Sequence, residues 1–203
     1  MAIKAILFDT EMVRAILEGR KSCTRRIVKP QQLIGMLPDK CKNGAPEKFL
    51  KEKKLMFKPY CDMTDIELIN TAYKAPYQPG DILYVRETWK KAPNGYYYYE
   101  DWQRNDIADV TKWKPSIRMP KEAARIWLKV TDVRVERLQE ISAESALAEG
   151  ADKYIHTNGG LDENMTITSF IGIWNSTIKK SDIDRYGWDA NPYVWIIEFE
   201  RCE

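Results

Sequence analysis

The chain has 203 residues, with 32 lysines and arginines against 30 aspartates and glutamates, one histidine and a net charge of +2. That length fits one domain, or one domain carrying an insertion, and is enough to bury a core. The small positive charge does not by itself point to nucleic acid. Cys23, Cys41, Cys61 and Cys202 form no CxxC pair, and with His156 alone beside them there is no zinc-ligand spacing, so no metal or other cofactor is expected. The apolar run at the N-terminus is too short for a signal peptide or a membrane span, which leads us to expect a reducing, cytoplasmic setting, no membrane partner and free thiols.

Lys4 to Phe8 reads as a short buried strand. A helix follows, capped by Asp9 or Thr10, with Met12, Val13, Ile16 and Leu17 on one apolar face and Gly19 as its left-handed stop. Its exit carries Arg20, Lys21, Thr24, Arg25 and Arg26. If the chain keeps turning, Lys21 and Thr24 share a side and form an amine-activated hydroxyl, while the arginines grip phosphate. Charged residues after a helix stop are more often a solvated turn, so this pair gains weight only from its company. Cys23 among these cations reads as a passive thiol, with a reactive one as the alternative.

From Val28 to about Tyr77 the pattern weakens into a lysine- and proline-rich insertion, in which Met56 to Tyr60 reads as one arm of a hairpin. Pro79-Gly80-Asp81 is a turn, and Ile82 to Trp89 a strand with Leu83, Val85, Glu87 and Trp89 on one face. A carboxylate on that face needs a partner. An arginine of the 20–26 segment, or a direct role for Glu87, would supply the reason for it. Pro93-Asn94-Gly95 turns into Tyr96 to Tyr99. Ala124 to Leu138 is a long strand with a bulge at Asp132.

Ser142 caps a short helix that Gly150 stops. Glu149 therefore sits at the negative end of the helix dipole, the unfavourable end for an acid, and that misplacement raises a functional question. Thr166 or Thr168 opens the last helix. Asp184 to Pro192 is a loop holding Trp188, and Tyr193 to Phe199 is a strand covered on both faces. The β/α order argues for an α+β fold, a small, mostly antiparallel barrel with peripheral helices. Seven tryptophans and eleven tyrosines are many for this length; core packing is the default use of aromatics, and stacking surfaces are the alternative.

Four ordered blocks resemble a known family. They are Gly19-x-Lys21-x-x-Thr24-x-Arg26, the Gly80-Asp81-Ile82-Leu83-Tyr84-Val85-Arg86-Glu87-Thr88-Trp89 strand, the Ile141-Ser142 to Glu149-Gly150 helix, and Trp188 to Phe199. Together they resemble the ASCH domain of the PUA-like superfamily of small β-barrels, in its larger phage and prophage branch. The resemblance implies a single domain over residues 1–203 with an insertion at about 31–78. It also implies a pocket for a base, nucleoside or RNA. A compact branch of the family hydrolyses the amide of N4-acetylcytidine, and its catalytic residues fall by motif on Lys21, Thr24 and Glu149. Under that reading Thr24 attacks the acyl carbonyl, neutral Lys21 takes its proton, and Glu149 orients Lys21 or protonates the leaving amine. Arg20, Arg25, Arg26 and Arg86 are the expected phosphate or pocket residues, with Glu87 beside them, and Trp89 and Trp188 the expected stacking surfaces. The alternative is a non-catalytic phage accessory protein that binds RNA or a modified nucleotide. A ribonuclease ranks behind both.

Overall fold

The structure is a computed structural model, and it describes residues 1–29, 64–103, 112–156 and 159–202. The hairpin arm expected at Met56 to Tyr60 lies outside them, as does most of the insertion.

Five strands form one sheet in the order β1 (Ile3–Leu7), β3 (Ile82–Arg86), β6 (Trp127–Arg137), β7 (Tyr193–Arg201), β2 (Cys23–Ile27). Only β1 and β3 run parallel. The expected strand from Ile82 to Trp89 divides. β3 stops at Arg86, and Trp89–Ala92 is a separate β4 that pairs with β5 (Gly95–Tyr98) across the Pro93-Asn94 turn. The alternation holds through that break, because Leu83, Val85, Glu87 and Trp89 are all buried. β6 shifts register between Val130 and Asp132, where the sequence placed a bulge.

The sheet is an α+β arrangement but is not closed by backbone pairing. Its two outer strands, β1 and β2, are joined instead by a side chain. Arg26 of β2 donates from Nη2 to the carbonyl of Leu7 at 3.3 Å. On the same strand, Tyr77 donates its hydroxyl to the carbonyl of Ala5 at 3.0 Å.

α1 (Thr10–Leu17) is capped by Asp9, whose carboxylate accepts from the Met12 amide at 2.8 Å. It presents Val13 and Ile16 to a core that also holds Ile6, Leu83, Leu128 and Ile197. β7 is buried on both sides as expected. Trp195, Ile197 and Phe199 face this first core, while Val194 and Ile196 face a second one, built with Leu138 and Ala146. α2 (Asp65–Ala72) contributes Ile69 to the first core, and α3 (Tyr99–Gln103) packs on α1, where Glu100 accepts from Arg14 Nε at 2.8 Å. The second lies under α4 (Ala143–Ala148), capped by Ser142, and α5 (Glu163–Thr177), which contributes Phe170 and Trp174. α5 starts one turn before either threonine expected to open it. Asp162 caps it through the Met165 amide at 2.9 Å, and Thr166 is buried inside the first turn with its hydroxyl on the Asp162 carbonyl. A threonine can satisfy its hydroxyl within the helix, so the nearer aspartate takes the cap. The loop expected at Asp184 to Pro192 is partly helical, with α6 at Ile183–Tyr186 and a single turn at Trp188–Ala190.

Candidate functional site

The Gly-x-Lys-x-x-Thr stretch does not keep turning. Gly19 takes φ 73° and ends α1, and the amides of Arg20 and Lys21 both return to the Ala15 carbonyl at 2.8 and 3.0 Å. The chain then extends, and Cys23 to Ile27 becomes β2. The reason is tertiary. Ser22 donates to the carbonyl of Ala148 at 2.9 Å and accepts from the Phe199 amide at 2.8 Å, so the exit of α1 is pinned between α4 and β7. Strand alternation places Thr24 and Arg26 on one face of β2, and Cys23 and Arg25 on the other.

A cavity of about 370 Å³ opens at this sheet edge. Lys21, Thr24, Arg25, Arg26 and Glu149 line its polar side. Phe8 and Met12 from the β1–α1 side, and Phe170, Ile173 and Trp174 from α5, form its apolar side. A mostly apolar concavity with a few convergent polar groups is the usual form of a small-ligand site.

Lys21, Thr24, Arg25 and Glu149 are all buried, at 5, 2, 4 and 6% exposure. Lys21 Nζ donates to the Glu149 carboxylate at 2.8 Å, the Glu149 carbonyl at 2.7 Å and the Cys23 carbonyl at 2.8 Å. Three acceptors match the three N–H donors of an ammonium, so in this arrangement Nζ is engaged away from Thr24. The side chain that bonds the Thr24 hydroxyl is that of Arg26, not Lys21.

Glu149 ends α4, next to Gly150 with φ 95°. The dipole penalty expected there is offset by cations at the helix exit. Lys21 binds both the backbone carbonyl and the carboxylate, and Arg25 Nη1 reaches the other carboxylate oxygen at 3.2 Å. Arg25 Nη2 also donates to Ser145 Oγ of the same helix at 2.7 Å, and its guanidinium lies 5.7 Å from the Phe170 ring.

Thr24 is held by a different group. Arg26 Nη1 donates to Thr24 Oγ1 at 2.7 Å and to the Arg25 carbonyl at 3.0 Å. Phe8 lies beneath both cations, 5.4 Å from Lys21 Nζ and 5.5 Å from the Arg26 guanidinium. Burial pushes Arg26 below the ordinary guanidinium range. Cys23 is buried, and burial, then the Glu149 charge, pushes its thiol up to about 12. It is a passive thiol.

The other expected site residues lie away from this cavity. Arg20 is on the surface, paired with Glu18 at 2.7 Å. Arg86 is on the outer face of β3, donating to the Ile117 carbonyl at 3.3 Å and the Tyr84 hydroxyl at 3.1 Å. Glu87 is buried and has its partner, but not in the 20–26 segment. Arg125 grips it with two bonds of 2.9 Å and reaches Asp101 at 2.7 Å. Burial pushes the Glu87 carboxyl up, against the pull of Arg125. Trp89 is 4% exposed, in a small core with Met119 and Ala123. Trp188 packs edge-on to Phe170, against the second core. Neither tryptophan lines the cavity.

Sequence reasoning missed Phe8, Met12, Phe170 and Trp174. Each reads as an ordinary core residue, and nothing local marks which core positions border a cavity. Among the described residues no group of three or more His, Cys, Asp or Glu is placed to hold a metal ion. No helix among them is long and apolar enough to cross a membrane. No family model, no curated protein and no solved structure matches this chain.

Proposed function

We propose that the chain is an ASCH-type domain of the PUA-like class, and that its cavity binds a nucleoside-type ligand and hydrolyses an N4-acyl amide on its base. One observation carries the reading. Lys21, Thr24 and Glu149, from two stretches 125 residues apart, line one cavity whose opposite side is aromatic and aliphatic. The approach of β1 to β2 through Arg26 supports the PUA-like reading of the sheet, as a barrel closed by side chains.

The resting hydrogen bonds set the order of steps. Lys21 is already bonded to Glu149, so a proton moves from Nζ to the Glu149 carboxylate first. The freed amine then takes the hydroxyl proton as Thr24 Oγ1 attacks the acyl carbon. The Arg26 guanidinium on Oγ1 stabilises the negative charge that develops there. The carbon–nitrogen bond breaks, and the base amine leaves with the proton from Glu149. Water then cleaves the threonyl ester and releases the acid. Phe8 and Trp174 offer aromatic faces to the base.

The test is hydrolysis of N4-acetylcytidine by the wild-type protein, Lys21→Ala and Thr24→Ala, with ligand binding followed in parallel. Turnover lost in both variants with binding kept supports the enzyme. Binding without turnover in the wild type assigns a non-catalytic nucleoside-binding domain. Absence of both removes the reading for this ligand class.

A further inference from the structure

A row of alternating cations and rings leaves the cavity rim and runs over the outer face of the sheet. Leu7 lines the rim, is 43% exposed, and stands opposite Arg86 in the β1–β3 register. The Arg86 guanidinium lies 5.4 Å from the Tyr84 ring. Tyr84 stands opposite Trp127 on β6, with ring centroids 6.0 Å apart. Lys121 Nζ lies 5.7 Å from the Trp127 ring. The Arg86 side chain bonds the Ile117 carbonyl, which places exposed Ile117 and Arg118 beside the row.

These rings are half-exposed on the solvent side of strands whose other face is core. Among the described residues, Arg86, Arg118 and Lys121 have no carboxylate partner, unlike Arg125 and Lys129 close by. Surface cations left without carboxylates, interleaved with aromatic faces, fit a ligand with a charged backbone and flat stackable groups. A folded duplex offers phosphates but hides its base faces, and an acidic peptide offers charge without rings.

We infer that the cavity receives its nucleoside from a single strand of nucleic acid, and that the flanking nucleotides lie on the Arg86–Tyr84–Trp127–Lys121 row. This rests on the nucleoside reading of the cavity. Two residues along β3 advance roughly 7 Å and the step to β6 adds roughly 5 Å, room for about two flanking nucleotides.

The experiment compares N4-acetylcytidine with a single-stranded trinucleotide carrying that base, over a salt titration, in wild type and in the double variant Arg118→Glu, Lys121→Glu. Both side chains are exposed and neither lines the cavity. The expected result is roughly tenfold tighter binding of the trinucleotide than of the nucleoside, from stacking and phosphate contacts. In the double variant that advantage disappears, the slope of log affinity against log salt falls by about 1.4, and nucleoside affinity is unchanged. Equal affinity for nucleoside and trinucleotide, or an advantage the double variant retains, overturns the inference and leaves the cavity reading standing. A trinucleotide that binds through the row while the nucleoside does not bind keeps the inference for the row and removes the cavity reading. A duplex of the same length, or a polyglutamate peptide, that competes equally overturns it by showing attraction to charge alone.

Discussion

Lys21 and Arg25 bring two positive charges to one carboxylate, all three groups buried. Removing a buried charge that others depend on costs far more than the pair contributes, because its partners are left desolvated. Glu149→Gln is therefore expected to lower unfolding free energy by about 3 kcal/mol, read from the urea midpoint. Lys21→Met, which removes a charge together with its solvation demand, should cost less than that. Equal losses in the two variants would contradict the picture of Glu149 as the shared counter-ion. A second expectation concerns Cys23. In a variant keeping it as the sole cysteine, a thiol reagent should label it only after denaturation, because burial disfavours the thiolate. Glu149 was legible as a residue of interest because an acid at a helix C-terminus contradicts local electrostatics. The partner of Glu87 was not, since Arg125 lies on a distant segment and spacing along the chain says nothing of it.

At the scale of the element, strand periods and caps written into the sequence reappear in the fold. The alternation of Leu83, Val85, Glu87 and Trp89, the bulge before Asp132 and the Ser142 cap are all present. The exit of α1 was misread because its conformation is decided from outside, by bonds from Ser22 to Ala148 and Phe199. Local spacing favours a continued turn there, and strand pairing with β7 overrides it. The junction of α4 carries a tight backbone constraint beside the site. Gly150 sits at φ 95°, and a Cβ there would lie 3.2 Å from Ala15 Cβ and 3.4 Å from Met12 Sδ. Gly150→Ala should lower stability by about 1–2 kcal/mol, from the left-handed conformation and the crowding against α1. It should also shift α4 away from Lys21. Thermal unfolding measures the first effect, and loss of ligand affinity beyond the loss of stability measures the second.

For the molecule as a whole, one buried carboxylate ties the start of the chain to the end of the insertion. Asp81 accepts from the Ala2 amide at 2.8 Å, the Gln78 amide at 3.1 Å and Lys4 Nζ at 2.6 Å. The Lys4 hydrogen bond, with the two amides, holds its carboxyl down at about 2. A depressed acid stabilises the fold fully above its unfolded value and loses that contribution as pH falls through the folded one. Stability should therefore drop between pH about 4 and pH about 2 by on the order of 1 kcal/mol, discounted for the part-exposed lysine. Asp81→Asn should remove that part of the acid dependence in a urea series across this range. An unchanged acid slope in the variant would assign the effect to other carboxylates.

The seam between β1 and β2 has a consequence for how the protein fails. β1 is an outer strand whose Ala5 and Leu7 carbonyls are occupied by Tyr77 and Arg26 side chains. An outer strand with free carbonyls and exposed apolar residues, here Ile3 and Leu7, is a template for another chain. Arg26 thus serves as a guard as well as a partner of Thr24, through its two terminal nitrogens. Arg26→Ala is expected to gain concentration-dependent association, visible as a rising mass in light scattering, and, under the proposed mechanism, to lose turnover through Thr24. A single damaged codon at this position would leave Thr24 without its partner and the protein sticky at once.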